Sequence, residues 1–223
     1  MAGAAVEGLK VPQPEKENAL TTVVGIGVVI VLHETAVLDD EQLRILTVKE
    51  STDKPGTGKK RGIRGIVQET VKIADIQTGV AESPEETLMG AMGEVIREDN
   101  VETEGNKFNR VVFSKRHEIP LRSLKGMAGG LEVVIFTGTA INLALTNEVT
   151  ESQWVTAGNF LDVHSTRPTS RELVQYAVNE RLLSRGMDQY RRGLTVPVFQ
   201  NDIPFGQFLR ERNTQPDITD VLR

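Results

Sequence analysis

The apolar run from Val23 to Leu32 places the tightest constraint on what this chain can fold into. It reads Val-Val-Gly-Ile-Gly-Val-Val-Ile-Val-Leu and carries no charge. A membrane-spanning helix needs roughly 20 apolar residues, so the run is too short to cross a bilayer. The residues before it are of mixed charge (Lys10, Glu15, Lys16, Glu17), and His33-Glu34 and Asp39-Asp40-Glu41 follow without a small-residue cleavage site, which argues against an export signal. Its Val and Ile content predicts a buried β-strand.

A length of 223 residues suits one extended domain, or at most two small ones. The absence of cysteine excludes a disulfide framework, a thiolate zinc site and a cysteine nucleophile, and it fits a reducing cytoplasm. With 31 acidic against 26 basic residues, the chain lacks the positive surplus needed to coat nucleic acid. Nucleotides remain open as small-molecule partners.

Residues 1–20 are small, polar and rich in proline, and read as a flexible arm. Strands are expected at Thr22–His33 and Leu43–Val48 as an antiparallel pair, within Ile66–Ile76, at Arg110–Ser114 and at Leu131–Thr139, with Lys125–Gly130 as a glycine-rich connection. Ser83-Pro84-Glu85-Glu86 is the clearest helix start, with Ser83 as N-cap, Pro84 at the first helical position and Glu86 closing a capping box. That helix is expected to run to about Asp99, with Asn100 as its stop. Thr169-Ser170-Arg171-Glu172 reads as a second capping box, opening one long helix with Leu173, Tyr176, Ala177, Leu183, Met187 and Tyr190 on a single stripe. From Leu194 onward a tail contains Pro197, Phe199, Pro204, Phe205 and Phe208, apolar enough to dock. Strands, a central helix, more strands and a closing helix make an α+β or α/β sandwich.

Several motifs are excluded. Gly25-Ile26-Gly27 lacks the third glycine of a dinucleotide fingerprint, and Gly58-Lys59-Lys60 has neither the spacing nor the hydroxyl of a P-loop. The basic loop holding Lys54, Lys59, Lys60, Arg61 and Arg64 is read first as a solvated charge run that can also steer an anion, so Lys59 and Arg61 are weak substrate candidates. His33, His117 and His164 have no metal-ligand spacing. On a continuing helix Glu94, Arg97 and Glu98 share one face at i, i+3 and i+4. Two readings of that face stand: an exposed edge with a Glu–Arg pair, or two carboxylates that help hold Mg²⁺.

The segment from Gly79 to Val101 resembles the Nudix box, in which Gly, five residues, Glu, seven residues and then Arg-Glu-aliphatic-any-Glu-Glu-any-Gly-aliphatic follow in order. Gly79, Glu85, Glu94, Val95, Glu98 and Val101 match without a gap. Glu82 falls where many members carry a glutamate before the helix. Glu148-Val149-Thr150-Glu151-Ser152-Gln153-Trp154-Val155 is similar to the family's acidic segment leading to a Trp strand, and Arg167-Pro168 precedes the closing helix as it often does there. The resemblance covers roughly residues 20–190. It implies a Nudix α/β/α sandwich with a mixed sheet (residues 21–192), between the N-terminal arm (1–20) and a C-terminal extension (193–223).

The resemblance also implies an activity: hydrolysis of a nucleoside diphosphate linked to another moiety X. Glu94 and Glu98 would be catalytic and would hold Mg²⁺ or Mn²⁺, with Glu82, the Gly79 carbonyl, Glu148 and Glu151 as further ligands. Three positions depart from the family pattern. Gly93 stands in place of Arg, Arg97 in place of a metal-binding Glu, and Asn100 in place of Gly. The edge formed by Glu94, Arg97 and Glu98 therefore carries one net negative charge where the family has three. Arg97 either swings its head to solvent, or fills the cation's place and offers donors to a substrate phosphate. The second case describes a catalytically impaired nucleotide-binding sensor or interaction module. Homodimers are common among such proteins, and the apolar tail permits one here.

Overall fold

In the computed structural model, residues 23–50, 63–70, 83–96, 106–113, 117–125, 127–140, 143, 146 and 148–198 are described. In chain order they form β1 (Val23–Leu32), β2 (Arg44–Glu50), β3 (Arg64–Gly65), β4 (Val67–Thr70), α1 (Pro84–Val95), β5 (Lys107–Val111), β6 (His117–Pro120), β7 (Ala128–Thr137), β8 (Val149–Thr156), α2 (Ala157–Asp162), α3 (Pro168–Asn179), α4 (Leu182–Arg191) and β9 (Thr195–Pro197), with a single 3-10 turn at Asp40–Gln42.

The side chains of β1 alternate between two apolar layers, and neither layer is wet. Ile26, Val28, Ile30 and Leu32 face one side, Val29 and Val31 the other, and all are at most 3% exposed. A strand buried on both faces needs a helical or loop layer against each. α1 supplies one, packing Leu88, Ala91, Met92 and Val95 against Ile26, Val28 and Phe136. The C-terminal helices supply the other, with Phe160 of α2, Leu173 and Ala177 of α3, and Leu183 and Met187 of α4 against Val29, Val31, Val133 and Ile135. Gly27 allows the close approach of α3, since a Cβ there would fall on the Leu173 side chain.

Both edges of β1 are used as well. β7 runs parallel to it from Val23↔Ala128 to Leu32↔Phe136. The opposite edge is divided between β4, antiparallel along Gly25–Val28, and β2, antiparallel at Val31↔Ile45. β2 also carries β3 and β8, β7 also carries β5 and β6, and β9 pairs with β5. The described residues thus make one mixed sheet between two helical layers, the α/β/α sandwich expected from the sequence.

Several local expectations are corrected. β7 begins at Ala128, so Gly129 and Gly130 lie within the strand, where Gly129 makes room for Leu121. The strand expected at Arg110–Ser114 begins at Lys107, which puts Phe108 against Phe136 with ring centroids 4.8 Å apart. The sheet continues past residue 192 through β9, and Val198 is buried behind it, so the start of the extension belongs to the core. The rest of the tail and the N-terminal arm lie outside the described residues. β6 and α2 had no counterpart in the sequence reading.

The closing helix is two helices. α3 begins at Pro168, and Arg167 before it gives no side-chain capping bond, its guanidinium donating to Gln68 Oε1 at 2.9 Å; the expected capping box does not form. Instead the Glu172 carboxylate accepts the backbone N–H groups of Arg122 and Ser123 at 2.8 and 3.0 Å, and Ser170 Oγ accepts that of Ile66 at 3.2 Å. The chain then breaks at Arg181, whose φ of 54° is left-handed. α4 starts afresh because Asp40, 5% exposed, accepts the N–H groups of Leu183 and Ser184 at 2.9 and 3.2 Å. This is an N-terminal cap supplied from a distant loop.

Two expectations follow. Asp40→Ala leaves two helix N–H groups without their acceptor and should cost about 1–3 kcal/mol, seen as a lower urea midpoint; an unchanged midpoint would show that the cap does not contribute. His117 packs edge-on to Phe113 at 4.6 Å, and burial, aided by the Arg185 charge, lowers its pKa against a smaller opposing effect of Glu180. The unfolded chain then takes up the proton first, so this contribution to stability is intact above about pH 6.5 and is lost as pH falls from there through the folded value. His117→Gln should flatten the decline in unfolding free energy between pH 7 and pH 5, and parallel curves for the two proteins would rule this out.

Candidate functional site

α1 starts where local chemistry sets it. Ser83 has extended φ and ψ of −71° and 157°, its Oγ accepts the Glu86 N–H at 3.2 Å, and Glu86 Oε2 accepts the Ser83 N–H at 2.7 Å. Pro84 occupies the first turn, where its missing N–H costs nothing. Glu85 and Glu86 place negative charge at the positive end of the helix dipole. Beyond that exposed first turn, Leu88, Met89, Ala91, Met92 and Val95 are all buried.

The helix ends earlier than expected. Val95 is its last residue, and Ile96 is extended with φ −117° and ψ 124°. Gly90 and Gly93 each weaken a helix by about 1 kcal/mol relative to Ala, the last turn has no basic residue to complement its carbonyls, and the β-branched Val95 and Ile96 favour extension. The helix expected to run to about Asp99 is thus interrupted at Ile96, and residues 97–100 lie outside the described residues. Glu94 sits in the last turn of α1. Gly79, Glu82, Arg97, Glu98, Lys59 and Arg61 lie outside the described residues.

The two downstream acidic candidates stand in different settings, one in a turn and one in a strand. Glu148 is in the turn entering β8, where its N–H donates to Thr146 Oγ1 at 3.4 Å. Glu151 stands opposite Lys49 in the β2–β8 ladder, in the same alternation as Ile45 and Val155, which belong to the layer of C-terminal helices. Its carboxylate is held by Arg64 at 2.7 Å and Lys49 at 3.3 Å, and Arg64 also donates to Thr47 Oγ1 at 3.2 Å. Glu151 thus projects from the face opposite α1 and is already neutralised, with the last cation of the basic loop as its main partner.

On the α1 face the structure assembles a group that the sequence reading did not single out. Arg110 of β5 donates through Nε to Glu132 of β7 at 3.1 Å and through Nη1 to Glu85 of α1 at 2.9 Å. Burial opposes the charge on Arg110, but the Glu132 and Glu85 carboxylates outweigh it and raise the guanidinium pKa above its ordinary value. Glu132 is 5% exposed. One signal was available: Glu132 is the lone charge in Ala128–Thr137, and a buried carboxylate requires a partner. Glu69 of β4 lies on the same face, opposite Ile26. Among the described residues, no three His, Asp or Glu side chains converge to hold a metal ion, and no helix is long and apolar enough to cross a membrane.

No family model and no curated protein matches the chain. Solved structures that are similar to it include a MutT protein from Methanosarcina mazei Go1, 14% identical, covering 71% of this chain and 94% of that one with a TM-score of 0.42. A Nudix hydrolase from M. smegmatis is 12% identical over 72% of this chain and 86% of that one, TM-score 0.43. The dihydroneopterin triphosphate pyrophosphohydrolase of E. coli is 16% identical over 72% and 97%, TM-score 0.42.

The placement of Glu151 has a direct consequence. Glu151→Gln should leave Mn²⁺ affinity within about twofold of the parent and cost no more than about 1 kcal/mol, as for an exposed ion pair. A tenfold loss in a Mn²⁺ titration would return Glu151 to the ligand set.

Proposed function

We propose that this chain is a Nudix-type hydrolase that cleaves the diphosphate of a nucleoside diphosphate linked to another moiety X, using Mg²⁺ or Mn²⁺. The observation that carries this reading is the register between sequence and fold. The capping box at Ser83–Glu86 opens α1 inside the segment Gly79–Val101, and that helix covers one face of a mixed sheet whose other face is closed by C-terminal helices. Fold class and box agree on the same residues.

The donors this segment offers are the carboxylates of Glu82, Glu94 and Glu98 and the Gly79 carbonyl, with Glu148 as a further carboxylate. All are hard oxygen ligands, the set a Mg²⁺ ion takes together with substrate phosphates. When bound, the cation would neutralise the diphosphate and lower the pKa of the attacking water. Glu94 or Glu98 would accept that water's proton as it attacks one phosphorus. Lys59 and Arg61 would draw the anionic substrate in from the basic loop.

A second reading is favoured by two features: Arg97 in place of a box carboxylate, and an α1 that stops at Val95. In it the domain retains a nucleotide diphosphate without cleaving it and acts as a sensor or interaction module. In both readings the small-molecule partner is the same.

The two separate on measurement. For a hydrolase, Glu94→Gln should lower Mg²⁺-dependent turnover of a nucleoside diphosphate-X panel by about 100-fold or more, in the range of a lost general base; undiminished turnover would remove Glu94 from the reaction. Arg97→Glu should tighten Mn²⁺ binding about tenfold by exchanging a repulsive for an attractive charge. No turnover by the parent chain on any panel member, together with nucleotide binding, would favour the sensor.

A further inference from the structure

We infer that Arg110 and Glu85 are positioning residues that fix α1, and with it the turn bearing Glu94, to the sheet. The inference begins with the guanidinium. All three of its nitrogens are engaged: Nε and Nη2 with the two oxygens of Glu132 at 3.1 and 3.5 Å, and Nη1 with Glu85 at 2.9 Å. Its two partners sit on β7 and α1 and Arg110 itself on β5, so a single planar group ties the helix to two neighbouring strands.

The two halves of this link differ in character. Glu132 has a side chain only 7% exposed, whereas that of Glu85 is 56% exposed. The buried half anchors Arg110: the side-on, two-oxygen geometry fixes the plane of the guanidinium and removes the freedom that a long side chain otherwise loses on pairing. The exposed half then meets a donor already held in place. An ordinary surface pair gains little because both side chains must be ordered. Here one is ordered in advance.

The link also acts where it is needed. Glu85 is in the first turn of α1 and Glu94 in the last, separated by about 14 Å at 1.5 Å per residue. A rigid helix held at its first turn by a polar tie and along its length by Leu88, Ala91 and Met92 has little freedom to roll or slide. Lysine offers no equivalent, since one ammonium does not reproduce three donors in a fixed plane.

The test uses amide hydrogen exchange on the full chain, comparing Glu85→Gln with Glu86→Gln. Both remove one negative charge from the same helix turn, so the helix-dipole effect is matched, and Gln at position 86 still serves a capping box. Only the first breaks the link to Arg110, and it leaves the buried Arg110–Glu132 pair in place, so the variant folds. The expected result is exchange at least fivefold faster at Thr87–Met92 in Glu85→Gln, with β1 and β7 unchanged and Glu86→Gln close to the parent. Arg110→Lys should show the same faster exchange. Equal acceleration in the two glutamine variants, or none in Glu85→Gln, would overturn the inference. Its catalytic part rests on the hydrolase reading: kcat should fall at least threefold in Glu85→Gln with KM within twofold, and an unchanged kcat beside faster exchange would overturn that part. A parent chain without turnover would count against the hydrolase reading, and exchange alone would then decide whether the link holds the helix.

Discussion

The architecture depends on a strand whose faces and edges are all occupied. Once β1 buries Ile26, Val28 and Ile30 on one side and Val29 and Val31 on the other, helices must cover both sides. Its parallel pairing with β7 requires a crossover, because parallel strands cannot be joined by a tight turn. The chain between them contains α1, which therefore lies over the sheet as part of that connection. Little backbone of β1 is left for chemistry. Helix ends and loops, rather than such a strand, are where binding and catalytic groups are generally carried.

Charge is distributed accordingly. Polar ties flank the apolar layer on each face of the sheet, among them Glu85–Arg110–Glu132 beneath α1 and Lys49–Glu151–Arg64 on the opposite side. These ties are unequal. Glu132 is shielded from water and requires its arginine, since a carboxylate buried without a partner costs far more than a surface pair returns. Glu151 is half exposed, and its pairs contribute in the range of ordinary surface ion pairs. The acidic surplus of the composition is thus partly spoken for, since several carboxylates among the described residues serve the fold.

The features visible in the sequence were those set by neighbours within a few residues. β1 was legible because ten consecutive residues carry one message, and the start of α1 because Ser83, Pro84 and Glu86 cap it by themselves. The division of the closing helix was not legible. The stripe from Leu173 to Tyr190 runs through Arg181, and the acceptor that starts α4 is Asp40, on the far side of the sequence. Glu172 looked like a capping residue because its spacing allows it, yet the N–H groups of Arg122 and Ser123 compete for it and win. β9 has three residues and one partner strand, too little to mark itself in sequence. Arg110 carried no local signal at all, because its role is defined by three elements that meet only in the fold.

The early end of α1 bears most directly on the site. Counting charges along a helix edge assumes that Glu94, Arg97 and Glu98 are spaced by helical geometry. Ile96 is extended, so the described helix carries Glu94 in its last turn, while Arg97 and Glu98 lie outside the described residues. A cation whose ligands are not aligned by one helix loses affinity by the free energy of ordering them. Gly90 and Gly93 lower the helix propensity of the turns that carry Glu94, so the point where α1 ends is set by its own residues as well as by packing.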